Sequence, residues 1–346
     1  VQNFLVDKPE LWNTESPALY TAKTKLIVDG KEVDAYDTRF GIRKLEYIPE
    51  KGFFLNGEPT KFQGVCNHHD LGPLGAAVNK SALRHQVEIM KDMGANAIRT
   101  AHNMPAPELV ELCDELGIML MVEPFDDWGF RPKSPNGYGA VFNEWAERDI
   151  TNMVKHYRNN PSVVMWSIGN EVPSQWGPDG MSELTMLQNL VKSLDSTRPV
   201  TCGMDQIGAV LDNGFAAALD IPGFNYKPQR YEEAYAKLPQ KMILGSETAS
   251  TVSSRGVYHF PVSFDKEHNM VMHPDNQSSS YDNETCDWSN TPDIDFFMDE
   301  KPWVLGQFVW TGFDYLGEPS PYDTNAWPSH SSVFGIVDLA SLPKDR

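Results

Sequence analysis

Apolar and polar positions follow two different rhythms along this chain, and the change falls near residue 60. Residues 1 to about 48 alternate with a period of two, as in "LYTAKTKLIVDGKEVDAYDTRFGIRKLEY", which is the pattern of half-buried strands. Asp29-Gly30 lies between two such runs, and Asn56-Gly57 follows in "GFFLNGEPTKF". Both dipeptides favour the positive-φ pair at the tip of a hairpin. Two or three strands cannot bury a core alone. Residues 1–48 therefore read as the last strands of a β-sandwich, with a second domain over residues 49–346.

From residue 60 onward strands and helices alternate. "KFQGVCNHHD" reads as a strand, and "KSALRHQVEIMKDMG" as a helix with Leu83, Val87 and Met90 on one face and Gly94 as its stop. "NAIRTAHN" and "IMLMVEP" are the next two strands. The helix between them starts at Pro107, carries Leu109, Leu112, Cys113 and Leu116 along one stripe, and ends at Gly117. After a loop over 124–141, a third helix aligns Ala146, Ile150, Met153, Val154 and Tyr157. "VVMWSIGNEV" is almost continuously apolar as far as Ile168, as expected of a parallel strand covered on both faces. "PVTCGMD", "DIPGFNY", "KMILGSET" and "PWVLGQFVWTGFDY" complete eight strands. The predicted fold is α/β, a (β/α)8 TIM barrel. The polar stretch 250–290 reads as a surface excursion, and "LPKDR" is reached with no eighth helix legible.

Charge narrows the partners. Lys plus Arg number 29 against 48 Asp plus Glu, a net charge of -19, which opposes binding to nucleic acid or an anionic membrane. No apolar run is long enough to span a bilayer. The four cysteines form no CxxC pair, so neither a zinc knuckle nor a disulfide framework is indicated. The start "VQNFLVDKPELWN" lacks the basic and apolar regions of a signal peptide and has no initiator Met. Compartment and oligomeric state stay open.

In a TIM barrel the residues ending each strand share one cleft. Here they are His68, His69 and Asp70 after the first strand, Arg99, His102 and Asn103 after the second, and Glu123, Asp126, Asp127 and Trp128 after the third. Asn170 and Glu171 follow the fourth, Asp205 the fifth, Asn225 and Tyr226 the sixth, Glu247 the seventh, and Trp310 and Asp314 the eighth. Glu171 and Glu247 each follow an apolar strand, three steps apart round the ring. A retaining glycosidase needs two carboxyl groups about 5–5.5 Å apart, one to protonate the leaving oxygen and one to attack the anomeric carbon. Each glutamate has an ordinary alternative as an ion-pair partner. His69 and His102 with an acidic residue allow a metal-dependent hydrolase. Adjacent histidines within a strand point to opposite faces, so only one of His68 and His69 is expected in the cleft. Binding of sugar without turnover is a further alternative.

"FQGVCNHHDLGPLGAAV", "MKDMGANAIRTAHNMPAPELVELCDELGIMLMVEPFDDW", "NNPSVVMWSIGNEV" and "FVWTGFDYLGEP" together resemble glycoside hydrolase family 2, the family of β-galactosidases, β-glucuronidases and β-mannosidases. "LWNTESPALYTAKTKL" with "RFGIRKLEY" resembles the end of the immunoglobulin-like domain that precedes the barrel in that family. The resemblance implies that Glu171 is the general acid/base, Glu247 the nucleophile, and Asn170 the residue holding the sugar 2-hydroxyl. It also implies that Arg99, His102, Tyr226 and Trp310 line the sugar subsite or orient the nucleophile, with His69 and Asp70 as a first-strand pair; Asp127, from the end of the third strand, is a further candidate for the sugar subsite. The loop "EPSPYDTNAWPSHSSVFG" lacks the Asn-x-Lys pair of the family's β-glucuronidases, and "DDWGF" stands where metal-dependent β-galactosidases carry Glu-x-His. The expectation is a retaining exo-β-glycosidase acting on a carbohydrate substrate without a cofactor or essential magnesium. β-D-Galactosides come first as substrates, with β-mannosidase or β-glucuronidase activity as the alternatives.

Overall fold

The computed structural model describes residues 3, 5–260, 277–280, 286, 288–289, 300–316 and 331–345. Most of the predicted 250–290 excursion and of the 318–335 loop lies outside these residues.

Two small antiparallel sheets come first. Strands β1 (Tyr20–Val28) and β2 (Lys31–Phe40) form a hairpin turned by Asp29 and Gly30, at φ 52° and 77°. Positive φ at both central residues matches the right-handed twist of the flanking strands. Strands β3 (Leu45–Ile48), β4 (Gly52–Leu55) and β5 (Glu58–Thr60) form the second sheet, with Asn56 and Gly57 at its second turn. Residue 48 closes β3, so the boundary expected after it falls between two paired strands.

The eight expected parallel strands follow and close on themselves. They are β6 (Phe62–Asn67), β7 (Ala97–Thr100), β8 (Met119–Val122), β9 (Val163–Asn170), β10 (Val200–Met204), β11 (Gly223–Asn225), β12 (Ile243–Ala249) and β13 (Val304–Trp310), with β13 pairing back onto β6. Between them run α1 (Lys80–Asp92), α2 (Pro107–Leu116), α3 (Phe142–Tyr157), α4 (Gly180–Leu194), α5 (Ile207–Asp212), α6 (Phe215–Ala218) and α7 (Tyr231–Lys237). The sequence sets these limits locally. Asn79 caps α1 by accepting from the Ala82 amide at 3.0 Å. Gly117 ends α2 at φ 74°, where a Cβ would lie 2.5 Å from the Thr14 carbonyl oxygen.

The core has two layers. Val87, Val110, Ile150 and Leu187 fill the space between helices and strands, whereas Met119, Met121, Leu244 and Phe308 belong to a separate cluster with the β3–β5 sheet. That sheet seals the barrel near the strand starts: Phe53 stacks on Phe62 at 4.8 Å, Phe62 on Phe308 at 5.7 Å, and the Tyr47 hydroxyl donates to the Val164 carbonyl at 2.9 Å. With one end sealed, the cleft can open only at the strand ends. There the segment 331–345 lies against the barrel. The buried Lys344 ammonium ties Asp314 (2.7 Å) to the carbonyls of Ser253 and Val333. No helix of the described residues is long and apolar enough to cross a membrane.

Candidate active site

A cavity of about 880 Å³ opens at the carboxyl ends of the barrel strands. Its wall includes His69, Asp70, His102, Asn170, Glu171, Tyr226, Glu247 and Trp310, eight of the ten residues singled out from sequence. The other two lie elsewhere. Arg99 is fully buried beneath the cavity floor. Asp127, expected in the sugar subsite, turns away from it: its Oδ2 accepts the amides of Lys133 and Gly139, each at 3.1 Å, and its neighbour Asp126 lines the cavity instead. Strand β8 stops at Val122, so alternation no longer decides which side chain faces inward. The same reason corrects the expectation for the histidine pair. Strand β6 ends at Asn67, and both His68 and His69 line the cavity.

Glu247 sits on β12 with a hydrogen bond to each carboxylate oxygen. Arg99 Nη1 donates to Oε2 at 3.1 Å, and the Tyr226 hydroxyl donates to Oε1 at 2.5 Å. Arg99 is itself fixed by Glu123, which accepts from Nε at 3.2 Å and from Nη2 at 2.9 Å. Burial works against the Arg99 charge, but Glu123, Cys66 and Glu247 hold its pKa above the ordinary arginine value. Burial likewise opposes the Glu123 charge. Arg99 and the His102 hydrogen bond outweigh it, so the Glu123 pKa lies below its usual value. Tyr226 is pushed well above the usual phenol range by burial and by the nearby charges of Glu247 and Glu171, which keeps its proton in place.

Glu171 has a different environment. Burial, then Glu247, then Asp205 raise its pKa to about 7, while a 2.9 Å hydrogen bond from Asn225 Nδ2 pulls the other way. Glu171 has φ 47°, and its amide donates to the Gly203 carbonyl at 2.7 Å, which turns the side chain out of the strand direction. Asn170 Oδ1 accepts from both Arg99 Nη2 (2.7 Å) and Asn225 Nδ2 (2.8 Å). One guanidinium and one amide thereby tie together the ends of five strands, β7, β8, β9, β11 and β12. Neither Asn225 nor Glu123 stands out in the sequence beyond being polar at a strand end.

His102 lies flat on Trp310, with centroids 5.4 Å apart and planes 6° from parallel. Its Nδ1 faces Glu123 at 2.6 Å and its Nε2 faces Asn170 Nδ2 at 3.3 Å. Both ring nitrogens are engaged, which leaves none to bind a metal together with His69. No group of three or more His, Cys, Asp or Glu side chains suited to a metal ion occurs among the described residues. Asp70 braces the rim by accepting the amides of Gly72 (2.7 Å) and Leu316 (3.0 Å).

Residues 47–323 match the family described as glycosyl hydrolases family 2, TIM barrel domain, and residues 1–43 match glycosyl hydrolases family 2. The chain is 39% identical to Beta-galactosidase BoGH2A of Bacteroides ovatus over 99% of its own length and 44% of that protein's. It is 30% identical to a beta-glucuronidase of Bacteroides fragilis, over 90% of the chain and 44% of the relative. A beta-glycosidase from Bacteroides vulgatus superposes with a TM-score of 0.81 at 35% identity, covering 98% of this chain and 44% of that one. The chain thus spans less than half the length of these relatives.

Proposed function

The chain belongs to glycosyl hydrolase family 2, and on that premise we propose that it carries the catalytic centre of a retaining, exo-acting β-glycosidase that prefers β-D-galactosides. The observation that carries this reading is the contrast between two carboxyl groups lining one cavity. Glu171 is half-buried, with its pKa raised to about 7, and accepts a hydrogen bond from a neutral amide. Glu247 is bonded to a guanidinium and a phenol. One group suits holding a proton and the other suits holding a negative charge.

In the proposed reaction the Glu247 carboxylate attacks the anomeric carbon while Glu171 gives its proton to the leaving oxygen. Glu171 then takes a proton from water, whose oxygen displaces Glu247 and restores the β configuration. Arg99 positions the nucleophile from below, and Asn170 offers its amide to the sugar. Trp310, backed by His102, provides an apolar wall for the ring.

Two features support galactosides over glucuronides. The relative with 39% identity is named a beta-galactosidase. The loop 318–335 also carries no Asn-x-Lys pair. Hydrolysis of nitrophenyl β-galactoside, β-glucoside, β-mannoside and β-glucuronide, with proton NMR of the first-formed sugar anomer, tests the reading. Preference for the galactoside with β-anomer released first supports it. Release of the α-anomer contradicts retention, and preference for the glucuronide contradicts the substrate assignment.

A further inference from the structure

Strand β12 ends in an unusual turn. Ala249 and Ser250 are consecutive non-glycine residues at φ 74° and 49°, a region that side chains with a Cβ seldom occupy. Such conformations persist only where the surroundings hold them, and they cluster at functional sites. Here Cys286 and Ser289 hold them: the Cys286 amide donates to the Ser250 carbonyl at 3.2 Å, and the Ser289 hydroxyl donates to the Ala249 carbonyl. The turn brings the buried Ser250 hydroxyl to the back of Tyr226. Ser250 Oγ donates to Tyr226 Oη at 2.6 Å, and Trp288 Nε1 donates to Ser250 Oγ at 3.3 Å. Trp288 is 44% exposed and, like Ser250, lines the cavity.

We infer that Trp288, Ser250 and Tyr226 form a one-way hydrogen-bond relay ending on Glu247, and that Ser250 is a positioning residue controlling how readily this carboxylate leaves the sugar. The inference rests on Glu247 being the nucleophile. Direction follows from the donor inventory. An indole N–H only donates, so Ser250 Oγ accepts from Trp288 and has its own proton free for Tyr226. Tyr226 accepts that proton's hydrogen bond and turns its O–H toward Glu247. A carboxylate only accepts, so the chain ends there. Aligned hydrogen bonds polarise one another, and the last one, to a charged group, gains most.

The two chemical steps feel this relay in opposite senses. When Glu247 attacks, its carboxylate electrons form the bond to the anomeric carbon, and a carboxylate stabilised by Tyr226 is the weaker nucleophile. When water attacks, the carbon–oxygen bond to Glu247 breaks, the electron pair returns to the carboxylate, and the water proton passes to Glu171. The same stabilisation makes Glu247 a better leaving group. The relay therefore favours breakdown of the glycosyl–enzyme over its formation.

The test is steady-state and stopped-flow kinetics of the protein with a dinitrophenyl β-galactoside, whose leaving group needs little protonation. Ser250→Ala is expected to lower kcat and KM together by roughly five- to tenfold, the scale of one weakened hydrogen bond, with a burst of dinitrophenol. Trp288→Phe, which keeps the ring and removes the donor, should move both constants the same way by less. In a Tyr226→Phe background, Ser250→Ala should have no further effect, because Ser250 acts through that phenol. A raised KM at unchanged kcat, or additive losses in the double variant, would overturn the relay and leave Ser250 a packing residue. If the wild-type protein forms no glycosyl–enzyme at all, the assignment of Glu247 has failed. If the intermediate accumulates equally in wild type and variants, only the relay has.

Discussion

Arg99 and Glu247 meet at 3.1 Å inside the barrel, and the guanidinium that reaches Glu247 is itself gripped by Glu123. The Arg99 and Glu123 side chains are 0% exposed and Glu247 is 6% exposed, so one cation serves two carboxylates withdrawn from water. Removing a buried partner leaves an uncompensated charge, which costs far more than the pair contributes. Arg99→Leu should lower unfolding stability by about 3–5 kcal/mol and abolish turnover. Urea denaturation followed by fluorescence checks the first effect and nitrophenyl glycoside hydrolysis the second. Glu123→Gln turns one acceptor oxygen into an NH2 that faces a donor, but it leaves Glu247 paired with Arg99, so it should cost less stability than Arg99→Leu.

The raised pKa of Glu171 has a functional and a thermodynamic consequence. Proton donation to the leaving oxygen requires the protonated form, so kcat/KM for an unactivated aryl β-glycoside should decline as pH rises through about 7. The stability effect has a definite sign. The unfolded carboxyl ionises near its ordinary value of 4.5, whereas the folded one keeps its proton to about 7. Between these values the folded protein binds the extra proton, and the contribution of this group to stability falls as pH rises. Glu171→Gln should therefore raise the unfolding midpoint at pH 8 and leave it nearly unchanged at pH 4. An equal shift at both pH values would count against burial as the cause.

Asn225 bridges the two halves of the site by donating to Glu171 Oε1 and Asn170 Oδ1. Its amide lowers the Glu171 pKa against the pull of burial, so Asn225→Ala should move the alkaline limb of the pH–rate profile upward. The freed Asn170 should also grip the sugar less well, and kcat/KM should fall by roughly tenfold, the effect of one or two lost hydrogen bonds. A pH–rate profile of the variant reads both effects. A downward shift of the limb would contradict the proposed hydrogen bond.

The fold was legible because its signals are local. Asp29-Gly30 and Asn56-Gly57 each turn a hairpin, the stripe Leu83, Val87 and Met90 is the buried face of α1, and the apolar run before Asn170 is β9. Strand ends also pointed to the cavity, since a parallel barrel brings them to one rim. What the sequence could not supply is which polar group faces which. Glu123 ends its strand much as Glu171 does, yet it turns under Arg99 and His102 rather than into the cavity. Asp126 and Asp127 are chemically identical neighbours beyond a strand end, where no period separates them. His68, expected to face away from the cleft wherever His69 enters it, packs against the rings of Trp310 and Tyr315 at 5.2 and 4.3 Å. Ser250 gains its role from contacts to residues 24 and 38 positions away, which no local pattern encodes.

The most direct test of the two-carboxylate account is azide rescue of Glu247→Ala and Glu171→Ala on a dinitrophenyl β-galactoside, with the product identified by NMR. In Glu247→Ala, azide should enter the space left by the nucleophile and give an α-galactosyl azide. In Glu171→Ala it should attack the glycosyl–enzyme from the opposite face and give the β-azide. Full turnover by Glu247→Ala without azide, or the same anomer from both variants, would contradict the assignment of the two roles.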